Sequence, residues 1–303
     1  MKKFLALSCT SLAFIFFLVS CQESAVERTR RWKPPVTPPT TPVVPPVTLP
    51  ASSLDQLPKD VGGLHKPIVL GANASPYGYY LYTPSAYTPT GAKYPLLIFM
   101  HGSGEVGNSK TDPKALDKVL VNGPPKLIKA HTWAPKYPMI VASVQCHEGW
   151  WDAVKVKQFT EFLMKTYRVD TSRIYMTGLS MGGYGTWDQV TKYGRDSHVT
   201  AAVPISGGGI VYAVRTKRAS YIPVWAFHGE TDTTVDPGFD KQMWKDNHAL
   251  VPKPAVLEKL TMYAATGHNA WSKTYDGTGI GHGEAGYDPF SMDIYTWMFQ
   301  FKK

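Results

Sequence analysis

Arg173-Ile174-Tyr175-Met176-Thr177-Gly178-Leu179-Ser180-Met181-Gly182-Gly183 is the stretch from which the fold can be read. A β-branched and aromatic run leads into a glycine-framed serine, and a helix-forming segment continues to Lys192. In the order strand, sharp turn, helix, a G-x-S-x-G pentad lifts its serine hydroxyl above the sheet edge on a strained turn. Small neighbours are required there, because the helix must pack close to the strand it follows. Gly178 and Gly182 supply that room and Gly183 adds to it. An ordinary βα turn would share the pentad alone, so its context has to decide.

A serine nucleophile needs a base and an orienting acid, and in this arrangement both follow it in the chain, acid first. Ile222-Pro223-Val224-Trp225-Ala226-Phe227 is a short apolar run that ends in His228-Gly229-Glu230-Thr231-Asp232. Asp232 therefore falls in a loop after a buried strand, with Glu230 and Asp236 as rival acids. A further strand-like run from Ala255 to Tyr263 ends in Gly267-His268-Asn269-Ala270-Trp271. Open α/β sheets bind ligands at the carboxyl ends of their strands, and Ser180, Asp232 and His268 are all expected there. His268 would take the serine proton and later protonate the leaving group, while Asp232 holds its tautomer.

Stabilising an oxyanion takes two preorganised amide donors. One is expected from Met181, directly after the nucleophile at a helix N-terminus. The strand Tyr94 to Met100 runs into His101-Gly102-Ser103-Gly104-Glu105, and the Ser103 amide is expected to be the second. His101 reads as structural.

These segments together, with Gln145-Cys146 and Gly183-Tyr184-Gly185-Thr186-Trp187, resemble bacterial α/β-hydrolase carboxylesterases over roughly Lys66 to Lys303. The similarity is greatest to the polyhydroxybutyrate-depolymerase-like and plant-biomass (feruloyl or acetyl-xylan) esterases, with the phospholipase/carboxylesterase group close by. It implies ester hydrolysis through an acyl-serine intermediate, with no cofactor. One departure is the long glycine-rich segment 272–289 after Trp271, which either borders the substrate pocket or is a surface loop.

Alternating strand-like and helix-like runs predict the α/β-hydrolase fold: a mostly parallel eight-stranded sheet with helices on both faces. Strands are expected near Ile68, Tyr80, Ile98, Ile140, Ile174, Val203, Trp225 and Leu260, and helices over 115–129, 153–167, 181–193, 239–250 and 290–301. Too little chain separates Ser206 from Pro223 for a large cap domain. An open rim suits a substrate that extends beyond the pocket. Trp150, Trp151 and Trp271, with Gln145, are candidates to contact it, the tryptophans by stacking.

Three regions are expected: a lipoprotein signal over 1–21, a Pro-rich tether over 22–58 and a catalytic domain over 59–303. Lys2 and Lys3 precede the apolar stretch Phe4 to Val19, and Leu18-Val19-Ser20-Cys21 resembles a bacterial lipobox with Cys21 as the lipidated residue. This implies an exported, membrane-anchored protein facing the periplasm or the cell surface. Pro34-Pro35, Pro38-Pro39 and Pro45-Pro46 favour extended polyproline geometry between anchor and domain. Cys146 would remain as a lone buried thiol, which leaves no intramolecular disulfide.

The net charge of +9, or +7 without Lys2 and Lys3, is moderate, and Arg28, Arg30, Arg31 and Lys33 beside the anchor are placed to meet anionic lipid. No nucleic-acid-binding motif appears, and no H-E-x-x-H or calcium-loop spacing calls for a metal. An ester substrate, polymeric or small, is the expected partner. A prolyl-oligopeptidase-type peptidase shares the fold and triad, but no propeller domain precedes the core in this sequence. A carbohydrate-binding lipoprotein that merely keeps the fold is the third reading. Oligomeric state is not written in any of these features.

Overall fold

The computed structural model describes residues 54–303 together with the backbone at 47–48. The expected signal, Cys21 and most of the tether lie outside the described residues.

Strand β1 (Val47–Thr48) pairs antiparallel with the last strand, β10 (Phe301–Lys302). The main sheet has eight strands: β2 (Leu64–Ile68), β3 (Gly78–Thr83), β4 (Tyr94–Met100), β5 (Ile140–Gln145), β6 (Val169–Leu179), β7 (Ala201–Ile205), β8 (Trp225–Gly229) and β9 (Lys259–Tyr263). Their spatial order is β2-β3-β5-β4-β6-β7-β8-β9. The β2/β3 and β3/β5 pairs are antiparallel, and every later pair is parallel.

Strands buried on both faces read as continuous apolar runs. On β4, Leu96, Ile98 and Met100 face one core layer, and Leu97 and Phe99 face the other. The first layer packs against α2 (Ala153–Thr166), α3 (Met181–Tyr193), α4 (Ala213–Ala219) and α5 (Gly238–Ala249) through residues such as Phe159, Trp187, Ala219 and Met243. The second layer packs against α1 (Gly123–Lys129), α6 (Trp271–Tyr275) and α7 (Ile294–Met298) through Ile128, Tyr275 and Met298. Helices therefore cover both faces, as the alternation predicts.

Several details differ from expectation. The segment expected as one helix over 115–129 is a 3-10 helix (Pro113–Val121) followed by α1. Between them Asn122 is extended and Gly123 has φ +64°, a left-handed conformation that glycine adopts at little cost. The helix expected over 290–301 shrinks to α7, because the Asp293 side chain caps it at the Thr296 amide and Phe301 leaves to pair with β1. The connection between β7 and β8 carries the unforeseen seven-residue α4 and nothing larger. The folded part also reaches back beyond residue 59: Leu54 is buried against Tyr82 and Leu97 in the second core layer.

The glycine-rich segment after Trp271 is tied down onto the sheet. Its first residues form α6, and further on the Glu284 and Asp288 amides donate to the Met262 and Leu260 carbonyls of β9 at 2.7 and 2.8 Å. The Asp288 carboxylate also accepts from the Leu260 amide. The segment is a strap along the otherwise open edge of the sheet, where unpaired backbone groups would invite association.

Candidate active site

Met100 of β4 lies level with Gly178 of β6, Leu179 with Ile205 of β7, and Ile205 with Phe227 of β8. The loops after these strands therefore open along one rim. Ser180 occupies the turn between β6 and α3 with φ +51° and ψ −118°, a conformation strained for any residue with a side chain. Its amide donates to the Ile205 carbonyl at 2.9 Å, and its carbonyl accepts from the Tyr184 amide. The turn closes only because its glycines lack side chains. A Cβ on Gly182 would sit 2.0 Å from the Met100 carbonyl oxygen, and one on Gly178 would sit 2.3 Å from that of Gly182.

His268 Nε2 lies 2.8 Å from Ser180 Oγ, and His268 Nδ1 lies 2.7 Å from Asp232 Oδ2. The carboxylate accepts at Nδ1, so that nitrogen carries the proton and Nε2 is free to accept from the serine. The Asp232 side chain is fully buried and that of His268 is 21% exposed, so the chain of contacts runs from solvent inward. Asp232 Oδ1 accepts the Thr234 and Val235 amides at 2.8 and 3.0 Å. Burial works against its charge, but the bonds from His268 and from these amides outweigh it and hold the carboxyl below the usual range. The rival acids are engaged elsewhere: Glu230 pairs with Lys241 at 2.7 Å, and Asp236 accepts the Gly238 amide.

Met181 opens α3, so its amide has no intrahelical acceptor. Ser103 opens a 3-10 turn (Ser103–Glu105), and its amide donates to no protein group among the described residues. A Cβ on the preceding Gly102 would lie 3.5 Å from Ser180 Cβ, which puts this turn directly beside the serine.

No family model matches the chain. A bifunctional acetylxylan esterase/xylanase of Neocallimastix patriciarum is 24% identical over 159 residues, 52% of this chain and 22% of that protein. Poly(3-hydroxyalkanoate) depolymerase C of Paucimonas lemoignei is 24% identical over 173 residues, 45% of this chain and 41% of that protein. The chain thus spans less than half the length of either curated relative. Among solved structures, a thermostable esterase superposes with a TM-score of 0.56 at 24% identity, covering 80% of this chain and 63% of that one. The feruloyl esterase module from Clostridium thermocellum gives 0.52 at 15% identity, covering 85% and 94%. The fold is that of the α/β-hydrolases.

Not every residue expected to meet substrate lies at the rim. Trp151 is 2% exposed and donates its indole N–H to the His101 carbonyl at 3.2 Å, so it belongs to the core. Gln145 is 1% exposed, and its amide N–H groups go to the Ala115 and Glu105 carbonyls. It braces the turn that carries Ser103 and is closed to ligands. Trp150 is 53% exposed, its ring 5.4 Å from that of Tyr184, which lies one turn along α3 from Ser180. Trp271 is half-buried and stands edge-on to the His268 ring at 5.1 Å, so these two border the rim.

Of the other residues around the site, the sequence assigns a role to His101 alone, as structural. Glu105 is buried and accepts from the Asn122 side-chain amide, whose oxygen accepts the Trp271 indole N–H at 3.2 Å. The turn beside Ser180 is thereby tied to the ring beside His268. His101 is fully buried; its Nε2 accepts the Cys146 amide at 2.9 Å, and its Nδ1–H donates to the Gly102 carbonyl. Burial lowers its pKa to about 4, so it stays neutral and structural. The Ser206 hydroxyl donates to the His268 carbonyl, and the only cue to it in the sequence is its place at a strand end. No helix among the described residues is long and apolar enough to cross a membrane.

Proposed function

We propose that this protein is a serine carboxylesterase. The observation that carries the reading is the unbroken contact from Ser180 Oγ through the His268 imidazole to Asp232, 2.8 Å and 2.7 Å in turn. The named esterases among its relatives and structural neighbours support it.

In this reading His268 Nε2 removes the Ser180 proton as Oγ adds to the ester carbonyl, and Asp232 stabilises the imidazolium that forms. The carbonyl oxygen becomes an oxyanion held by the Met181 and Ser103 amides, each such donor being worth about 3 kcal/mol. The C–O bond to the alcohol then breaks, and Nε2 returns its proton to the leaving oxygen. Water, deprotonated by the same nitrogen, attacks the acyl-serine and releases the acid.

The substrate class we infer is an acyl ester, acetyl, feruloyl or related, attached to a polysaccharide or other polymer. The short β7–β8 connection leaves the rim uncovered, and Trp150 and Trp271 flank it as surfaces on which a sugar or aromatic ring can stack. Fluorophosphonate labelling at Ser180, followed by acid release from acetylated and feruloylated xylan, pectin and polyester side by side, tests both levels. Absence of labelling removes the esterase; labelling with cleavage of small esters alone removes the polymer. We propose further that Cys21 carries the lipid that anchors this enzyme outside the cytoplasm, a reading supported by the residues before it.

A further inference from the structure

Behind Asp232 lies a second imidazole that the mechanism above leaves unused. His228, fully buried at the end of β8, places Nε2 3.1 Å from Asp232 Oδ2 and 3.1 Å from the Val235 carbonyl. A carbonyl only accepts, so Nε2 carries a proton, and Asp232 Oδ2 receives imidazole N–H groups from both His228 and His268. On the far side, His228 Nδ1 meets Asp240 Oδ2 at 2.7 Å, and Asp240 Oδ1 accepts the Trp187 indole N–H at 2.7 Å. Every polar atom of this buried row has a partner, a costly arrangement to build where two apolar side chains would fill the space.

We infer that His228 and Asp240 form a positioning pair that acts through Asp232, fixing its carboxylate and setting how much negative charge it turns toward His268. The inference rests on the esterase reading. The Nδ1 contact holds one proton, so the pair is neutral overall with its positive end toward Asp232. Burial pulls down the basicity of His228, but the bond to Asp240 and its charge more than restore it. The groups facing the pair are Asp232 from the loop after β8, Tyr184 and Trp187 from α3 and Glu258 ahead of β9, with His268 on the far side of Asp232. Burial holds the Glu258 carboxyl well above the usual range.

Asp240→Asn keeps the shape: the amide donates to His228 Nδ1, and His228 Nε2–H still reaches Asp232, without the charge behind it. More negative charge then faces His268, so its imidazolium is favoured and the acid limb of kcat/KM moves up. A shift on the order of half a pH unit is expected, with kcat down on the order of tenfold and KM unchanged. If that variant does not fold, His228→Gln with Asp240→Asn supplies an uncharged donor to Asp232 and is expected to move the limb in the same direction. A lowered melting temperature with limb and kcat unmoved overturns the inference, since the pair would then be core packing alone. Wild type that takes no fluorophosphonate overturns the esterase reading and this one with it; labelled wild type with an unmoved limb overturns only this one.

Discussion

The Ser206 hydroxyl donates to the His268 backbone carbonyl at 2.8 Å, although the two residues are 62 positions apart. Ser206 sits just past β7 with φ +46°, and its amide donates to the Phe227 carbonyl of β8. The loop that holds the base is thus tied to the middle of the sheet. Ser206→Ala is expected to lower kcat on short p-nitrophenyl esters about three- to tenfold with KM unchanged, and to cost about 1 kcal/mol of stability. Unchanged kcat would show that the bond secures only the backbone.

Ser180→Ala removes the proposed nucleophile from a turn that alanine can also occupy. Ester turnover is expected to fall by at least about 10³-fold with circular dichroism unchanged. Because Asp232 is held below the usual carboxyl range, it remains charged well into acid and does not set the acid limb of the wild type. A rate that stays flat down to about pH 4 would remove His268 as the base.

Gly182→Ala tests the close approach of α3 to β4. Its Cβ would meet the Met100 carbonyl oxygen at 2.0 Å, and neither backbone can yield without moving the serine turn. A loss of about 2 to 3 kcal/mol is expected, read as a fall in urea midpoint. Gly104→Ala is the control: nothing lies within 4 Å of the added methyl, so stability should hold.

Protonating His101 would destroy its bond from the Cys146 amide. Its pKa of about 4 lies below the unfolded value, so the unfolded chain gains the proton first as pH falls. Stability is full above about pH 6.5 and is lost progressively down to about pH 4, to the extent of about 3 kcal/mol. His65, lowered to about 4 by burial, adds in the same window. Urea titrations across that window should show a shallower slope for His101→Gln than for the wild type.

The parts of the fold that can be read from the sequence are those with a local cause. All eight strands of the sheet lie near their expected positions, the inner ones because a strand buried on both faces has no alternative composition, whereas the edge strand β2 is largely exposed. Ser180 is legible from its own turn, and Asp232 and His268 each from a strand end, although the 2.7 Å contact between them is made only by folding. The direction in which a side chain points is less local. Trp150 and Trp151 are adjacent, yet one is 53% exposed and the other 2%, a difference set by the packing of Trp151 against Gly185 and His101. Gln145 and the Asn122–Trp271 bond are of the same kind. The break at Asn122-Gly123 has its signal in Asn122-Gly123-Pro124-Pro125, a turn-forming run that the apolar spacing on both sides of it obscures.

β9, one of the two edge strands of the sheet, leads directly into the loop that bears His268. Unstrapped, such a strand would be the first to fray on warming, and the imidazole would drift from the serine while the rest of the molecule stayed native. The Glu284 and Asp288 amides bonded along its free side raise the cost of detaching that strand toward that of melting its neighbours. Heat inactivation and global unfolding should therefore coincide.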